Sequence, residues 1–196
     1  MAITRLGPNQ SVNLTSNVTG TLPVANGGTA ITSGFVNGGG LTMADMWRKT
    51  ATTTITSTAQ VLSSNWERID TSGQGTVGSA MTESSGIFSF PSTGIYLISV
   101  NQWFNYNSTD SRYFEFKIEA TINNSSYTHI SRMTSSFKYI SSYTYNMLTA
   151  NTLFDVTDTS QCKIRFKAES QNNTTAPGDT AFNESNSYMF LRLGDT

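Results

Sequence analysis

The sequence predicts an all-β sandwich preceded by an extended N-terminal segment, and three observations carry that expectation. The 196-residue chain holds 30 Thr, 26 Ser and 17 Asn, together more than a third of the total. Aromatic residues make up 11%. That is too many for a disordered chain, which lacks the large apolar groups that offset the entropy lost on ordering. Thr and aromatics favour strands, while Ser, Asn and Gly favour turns. From residue 50 onward, apolar and polar residues alternate with the period of two of a half-buried strand.

The same composition excludes several functions. Twelve basic side chains against 13 acidic ones leave a net charge of −1, with no general attraction to nucleic acid or an anionic membrane surface. One cysteine cannot form an internal disulfide or an all-thiolate metal site, and one histidine cannot supply an imidazole cluster. No run approaches the ~18 apolar residues of a membrane helix. The start, Met1 to Asn9, lacks the apolar centre of a secretory signal. A soluble protein made in a cytosol is the expectation.

Residues 1–44 contain one charged side chain, Arg5, and eight of the 15 glycines, with no aromatic before Phe35. A segment so poor in large apolar groups closes no core of its own. Its isolated apolar residues, among them Ile3, Leu6, Val12, Leu14 and Val18, recur too evenly for a simple linker. Of two readings, a flexible tail or ordering by association with copies of itself or another protein, the second is expected. Gly38-Gly39-Gly40 marks a hinge, and Met43 to Lys49 is the one segment where a short helix is expected. The boundary falls between residues 44 and 45, with 45–196 as the globular part.

Within that part, Arg112 to Ile122 is the cleanest strand. Phe114, Phe116, Ile118, Ala120 and Ile122 share one face, and Tyr113, Glu115, Lys117, Glu119 and Thr121 the other. Gln161 to Lys167 repeats the pattern and places Cys162 in the core as a small hydrophobe. Gly94 to Tyr106 and Asn186 to Leu193 are apolar on both faces. Ile95, Leu97 and Trp103 oppose Tyr96, Ile98, Val100 and Phe104. Met189, Leu191 and Leu193 oppose Tyr188 and Phe190. One face of such a strand meets the opposing sheet, and the second is expected to meet another subunit.

Gly86, Phe88, Pro91, Gly94 and Tyr96 follow the pattern Gly-x-Phe-x-x-Pro-x-x-Gly-x-Tyr and lead into an alternating apolar strand. This block resembles the central signature of the TNF-like jelly roll, the superfamily of the tumour necrosis factors and complement-type globular heads. Asn186 to Leu193 is similar to the family's last strand, which pairs with the first. The resemblance spans roughly residues 47–196 and implies a jelly-roll β-sandwich and a homotrimer whose threefold axis is lined by apolar side chains. On that basis Tyr96, Ile98, Val100, Phe104, Tyr143, Tyr145, Tyr188 and Phe190 are expected at the trimer interface. The N-terminal segment lacks the Gly-x-y repeat of a collagen stalk. Instead, Gly20 to Thr29, Gly-Thr-Leu-Pro-Val-Ala-Asn-Gly-Gly-Thr, resembles an element of bacteriophage tail-fibre and other virion proteins. Together the two resemblances imply a homotrimeric fibre or decoration protein of a virion. Residues 1–44 would be its anchor on a capsid or tail protein.

Catalytic chemistry is not expected. His129 is the lone imidazole and no Gly-x-Ser-x-Gly elbow accompanies it. Asp155, Asp158, Asp179 and Glu184 lack EF-hand spacing and read as solvated loop charges, so no cofactor is expected. Calcium, bound by some relatives, is the one ion the resemblance raises. Recognition is expected in loops on a rigid scaffold. Tyr106, Asn107, Asp110 and Arg112 lie in one, and Asn172, Asn173 and Asp179 in the polar stretch 170–186. Their amide, hydroxyl and aromatic groups suit weak contact with host-surface glycans. A soluble carbohydrate-binding lectin outside any virus is the alternative. Neither nucleic acid nor membrane insertion is expected.

Overall fold

A computed structural model describes residues 41–71, 73–178 and 186–196. The expectations for residues 1–40, Asp179 and Glu184 therefore lie outside the described residues. Leu41–Thr196 is one compact unit. Its strands are β1 Met43–Lys49, β2 Thr53–Ile55, β3 Gln60–Val61, β4 Trp66–Arg68, β5 Val77–Gly78, β6 Thr82–Ser84 and β7 Ile87–Ser89. They continue as β8 Gly94–Tyr106, β9 Ser111–Thr121, β10 Thr128–Phe137, β11 Thr144–Val156, β12 Lys163–Ser170, β13 Thr174–Ala176 and β14 Asn186–Gly194. The all-β expectation holds, with no helix among the described residues.

The strands form two antiparallel sheets. In the eight-stranded sheet β8 is central, flanked by β11 on one side and by β14 and β13 on the other. β14 continues to β1 and β4, β5 also pairs with β1, and β13 pairs with β2. The six-stranded sheet runs β10–β9–β12–β7–β6, with β3 beside β12. The last strand pairs with the first through Ala44 opposite Leu191 and Met46 opposite Met189.

Met43 to Lys49 is thus a strand, not the expected helix. A two-turn helix is marginal alone, whereas here β14 and β4 satisfy both edges of the backbone. Met43 and Ala44 belong to this strand, so the globular part starts ahead of the break in composition. Asp45 points inward and its carboxylate accepts hydrogen bonds from Trp47 Nε1, Arg68 Nε and the Met81 amide, each at 2.9 Å. Lys49 is also buried. Its ammonium donates to the Ser64 carbonyl and lies 4.9 Å from the centre of the Trp66 ring.

The Gly86–Tyr96 block has a physical reason at each position. Ser85 and Gly86, with φ of 53° and 82°, form the two-residue loop between β6 and β7, where positive φ matches the twist of the hairpin. A Cβ on Gly86 would lie 2.5 Å from the Leu62 carbonyl oxygen. Gly94, at φ 138°, admits the backbone of Gly194 where a side chain would collide. Tyr96 turns inward, and its hydroxyl donates to the Ser92 carbonyl at 2.9 Å across the Pro91–Gly94 turn.

The inner faces meet in an aromatic core. Trp66 stands edge-on to Phe88 at 4.9 Å, and Phe166 packs on Tyr188 at 4.6 Å. Phe104 meets Phe114 at 4.9 Å, and Phe114 stacks on Phe137 at 4.3 Å. Phe114, Phe116, Ile118 and Ala120 face inward as their alternation requires, and Cys162 is buried. Ile122 departs from the expected face because it lies past the end of β9, 72% exposed.

Burial lowers the Lys49 pKa to about 8, against the attraction of Glu83. Its unfolded value is near 10.5, so between those values the unfolded chain binds more protons and stability rises with pH. Lys49→Met is expected to flatten that rise relative to the parent, read from denaturant unfolding at a series of pH values across the window.

Candidate functional site

Six of the residues expected at a trimer interface belong to the protomer's own core. Tyr96, Ile98, Val100, Phe104, Tyr188 and Phe190 are each 0% exposed. They face the six-stranded sheet, where Phe190 lies 5.4 Å from Phe88 and Phe104 lies against Phe114. No second copy can touch them. β8 and β14 do carry apolar residues on both faces, as the sequence indicates, but the aromatic face turns inward. Tyr143 and Tyr145 stay outside, 52% and 54% exposed.

The outward parity of the eight-stranded sheet forms the candidate surface. Register places Leu153 and Leu191 on either side of Leu97, with Ala44 beyond Leu191. Leu153 is 61% exposed, and Leu193 is also exposed. The next row runs from Asn151 and Ser99 to Met189, and the row after it is polar: Asn101 Nδ2 donates to Ser187 Oγ at 3.2 Å, and Thr149 Oγ1 donates to Asn101 Oδ1 at 2.9 Å. Beyond this belt lie Trp103, Met147 and Tyr145. Between Leu97 and Asn105, the outward positions of β8 and of the β11 and β14 residues beside it carry no charge. Arg48 on β1 is held by Glu67 at 2.8 Å.

The six-stranded sheet presents the opposite chemistry. Glu115 is paired with Lys117 and Arg132, and Glu119 with Arg165 at 2.7 Å. Lys117 also reaches Glu169 at 3.7 Å, and the Arg165 guanidinium covers the Tyr127 ring at 3.9 Å. Hydrogen bonds and charge from Lys117 and Arg132 hold the Glu115 carboxyl below its usual range although burial opposes them. This is a face built for water. His129 lies exposed on it, opposite Glu119.

At the Tyr106 end of the eight-stranded sheet, a cleft of about 340 Å³ opens among the end of β8, the start of β11, and β13. Tyr106, Asn107 and Asn173 line it, together with Tyr143 and Tyr145. The structure thereby joins three of the loop residues to two tyrosines assigned elsewhere. Asn105, Thr174 and Thr175 also contribute; the sequence does not single out the two threonines because β13 lies inside a stretch that reads as a polar loop. Thr174 Oγ1 donates to the Asn105 carbonyl at 2.6 Å, and the Thr175 hydroxyl is bonded to the Asn105 side chain. Tyr143 and Tyr145 stack at 6.2 Å with 27° between planes, and Trp103 extends the row at 5.3 Å from Tyr145.

The remaining loop residues are engaged elsewhere. Asp110 accepts from Lys138 Nζ at 2.6 Å and from the Tyr139 amide at 2.8 Å, which hold its carboxyl below the usual range. Asn172 donates to the Asp110 carbonyl at 3.3 Å. The Arg112 amide donates to Gln171 Oε1, and the Arg112 side chain is exposed. Asp158 accepts from the amide and hydroxyl of Ser160, each at 2.7 Å, forming a turn. Among the described residues no three His, Cys, Asp or Glu side chains gather as a metal site would require.

The chain matches no protein-family model and no curated sequence. Solved structures do match its fold. Murine APRIL, crystallised at pH 8.0, superposes with a TM-score of 0.53 at 14% identity, covering 77% of this chain and 98% of that one. The Eiger TNF of S. frugiperda superposes with a TM-score of 0.56 at 12% identity, covering 78% and 93%. The described unit is a TNF-like jelly roll.

Phe190→Ala is expected to destabilise the protomer itself by about 3–5 kcal/mol, measured by denaturant unfolding. A folded protomer of unchanged stability would remove Phe190 from the core.

Proposed function

We propose that this protein is the trimeric fibre or decoration protein of a bacteriophage virion. Leu41–Thr196 is its projecting head, residues N-terminal to it are the anchor on a capsid or tail protein, and the head adheres to host-surface glycans. The observation that supports self-association is the division of chemistry between the two outer faces. Ion pairs cover the six-stranded sheet, while the eight-stranded sheet exposes Leu153 and Leu193 beside the half-buried Leu97 and Leu191. Exposed aliphatic groups beside the uncharged rows from Leu97 to Asn105, with Asp155 next to Leu153 at their margin, match the apolar centre and polar rim of a protein contact. A homotrimer is the assembly that the TNF-like resemblance implies. The virion assignment rests on the similarity of Gly20 to Thr29 to phage structural elements.

Burying one leucine contributes about 1.5–3 kcal/mol. Leu153→Asp is therefore expected to weaken association on the order of 100-fold while the protomer stays folded. Light scattering across a concentration series measures the first effect, and thermal melting the second. A parent protein that is monomeric at micromolar concentration overturns the trimer. For the virion role, removal of residues 1–40 is expected to abolish incorporation into particles, seen by electron microscopy with an antibody to the head.

A further inference from the structure

We infer that the cleft at the Tyr106 end of the eight-stranded sheet binds an uncharged saccharide of one or two sugar rings. The inference deepens the glycan-adhesion part of the function proposed above and names its site. It does not depend on the trimer.

The lining selects the ligand class. Among the described residues no acidic, basic or imidazole side chain lines the cleft, so a phosphate or a carboxylate finds no counter-charge from them. What lines it is amide, hydroxyl and phenol. An asparagine amide presents both donors and an acceptor, the combination that adjacent sugar hydroxyls require. Asn107 and Asn173 are both exposed and reach the cleft from different chain segments. The Asn105 side chain is held by the Thr175 hydroxyl rather than left to reorient.

Aromatic geometry supplies the second half of a sugar site. Tyr143 and Tyr145 are half exposed and nearly parallel. Their electron-rich faces suit the weakly positive C–H face of a pyranose, and a stacked pair holds both rings in place. The volume, about 340 Å³, is at the small end of ligand cavities, enough for a short glycan rather than a folded partner. Strands form the walls on the β8 and β13 sides, so the site is pre-organised. The bonded Asn101, Ser187 and Thr149 belt separates it from the leucine patch, so contact between copies and sugar binding occupy different rows of one face.

The test uses the full chain and a set of neutral probes: the methyl glycosides of glucose, galactose and mannose, N-acetylglucosamine and lactose, with N-acetylneuraminic acid as the charged control. Saturation-transfer NMR and calorimetric titration are expected to show at least one neutral probe binding with about millimolar Kd, insensitive to salt. Tyr145→Ala and Asn173→Ala are each expected to weaken it about tenfold or more. Both positions are exposed, and unchanged melting temperatures verify the fold. Binding of no neutral probe, retention of affinity in both variants, or preference for N-acetylneuraminic acid overturns the inference. The Leu153→Asp variant separates this result from the trimer. Sugar binding by dissociated protomers sustains the cleft alone, and a trimer that binds no neutral sugar sustains self-association alone.

Discussion

The two sheets are held face to face by interlocked aromatic rings, and the rest of the molecule follows from that contact. Trp66, Phe88, Phe166, Tyr188 and Phe190 meet at centroid distances between 4.6 and 6.3 Å, several of them edge to face. Each such pair adds about 0.5–1.5 kcal/mol beyond the area it buries. Because side chains alternate along a strand, turning Tyr188 and Phe190 inward obliges Met189 and Leu191 to turn outward. The same parity on β8 sends Tyr96, Ile98, Val100 and Phe104 in, and Leu97 and Trp103 out. The character of the outer surface is therefore a consequence of how the core closes.

Electrostatics then separates the two outer faces. Glu115 and Glu119 sit low between strands, and the long basic side chains of β9, β10 and β12 fold over them. Partly exposed pairs of this kind add little stability individually. Their effect is to keep that face wetted, while the eight-stranded sheet exposes Leu153 and Leu193. The amide- and tyrosine-lined cleft lies at one end of the same sheet, where strands end and turns begin. In the trimer proposed above, three clefts with weak individual affinity would act together through avidity.

How much of this was legible beforehand depended on the range of the interactions involved. The strand patterns of residues 112–120 and 161–167 contain their own evidence, since four and three inward apolar residues at every second position leave little choice of structure. The turn residues Gly86, Pro91 and Gly94 were legible for the same local reason, as was the burial of Cys162. Met43 to Lys49 was misread because its fate depends on β14, which lies far along the chain. Thr174–Ala176 read as loop because three polar or small residues become a strand only beside Asn105 and Thr54.

From its residue order alone the chain declares an all-β body and its two-sided apolar strands, because periodicity and turn chemistry are local properties; the jelly roll itself is what the resemblance of the Gly86–Tyr96 block implies. It does not declare which side of β8 and β14 is the inside. Two apolar faces look alike in a pattern of period two, and only the shape and aromatic content of the opposing sheet choose between them. Nor does it bring Asn107, Tyr145 and Asn173 together. That cleft exists because β8, β11 and β13 are neighbours in a sheet, and such neighbours are settled by long-range pairing.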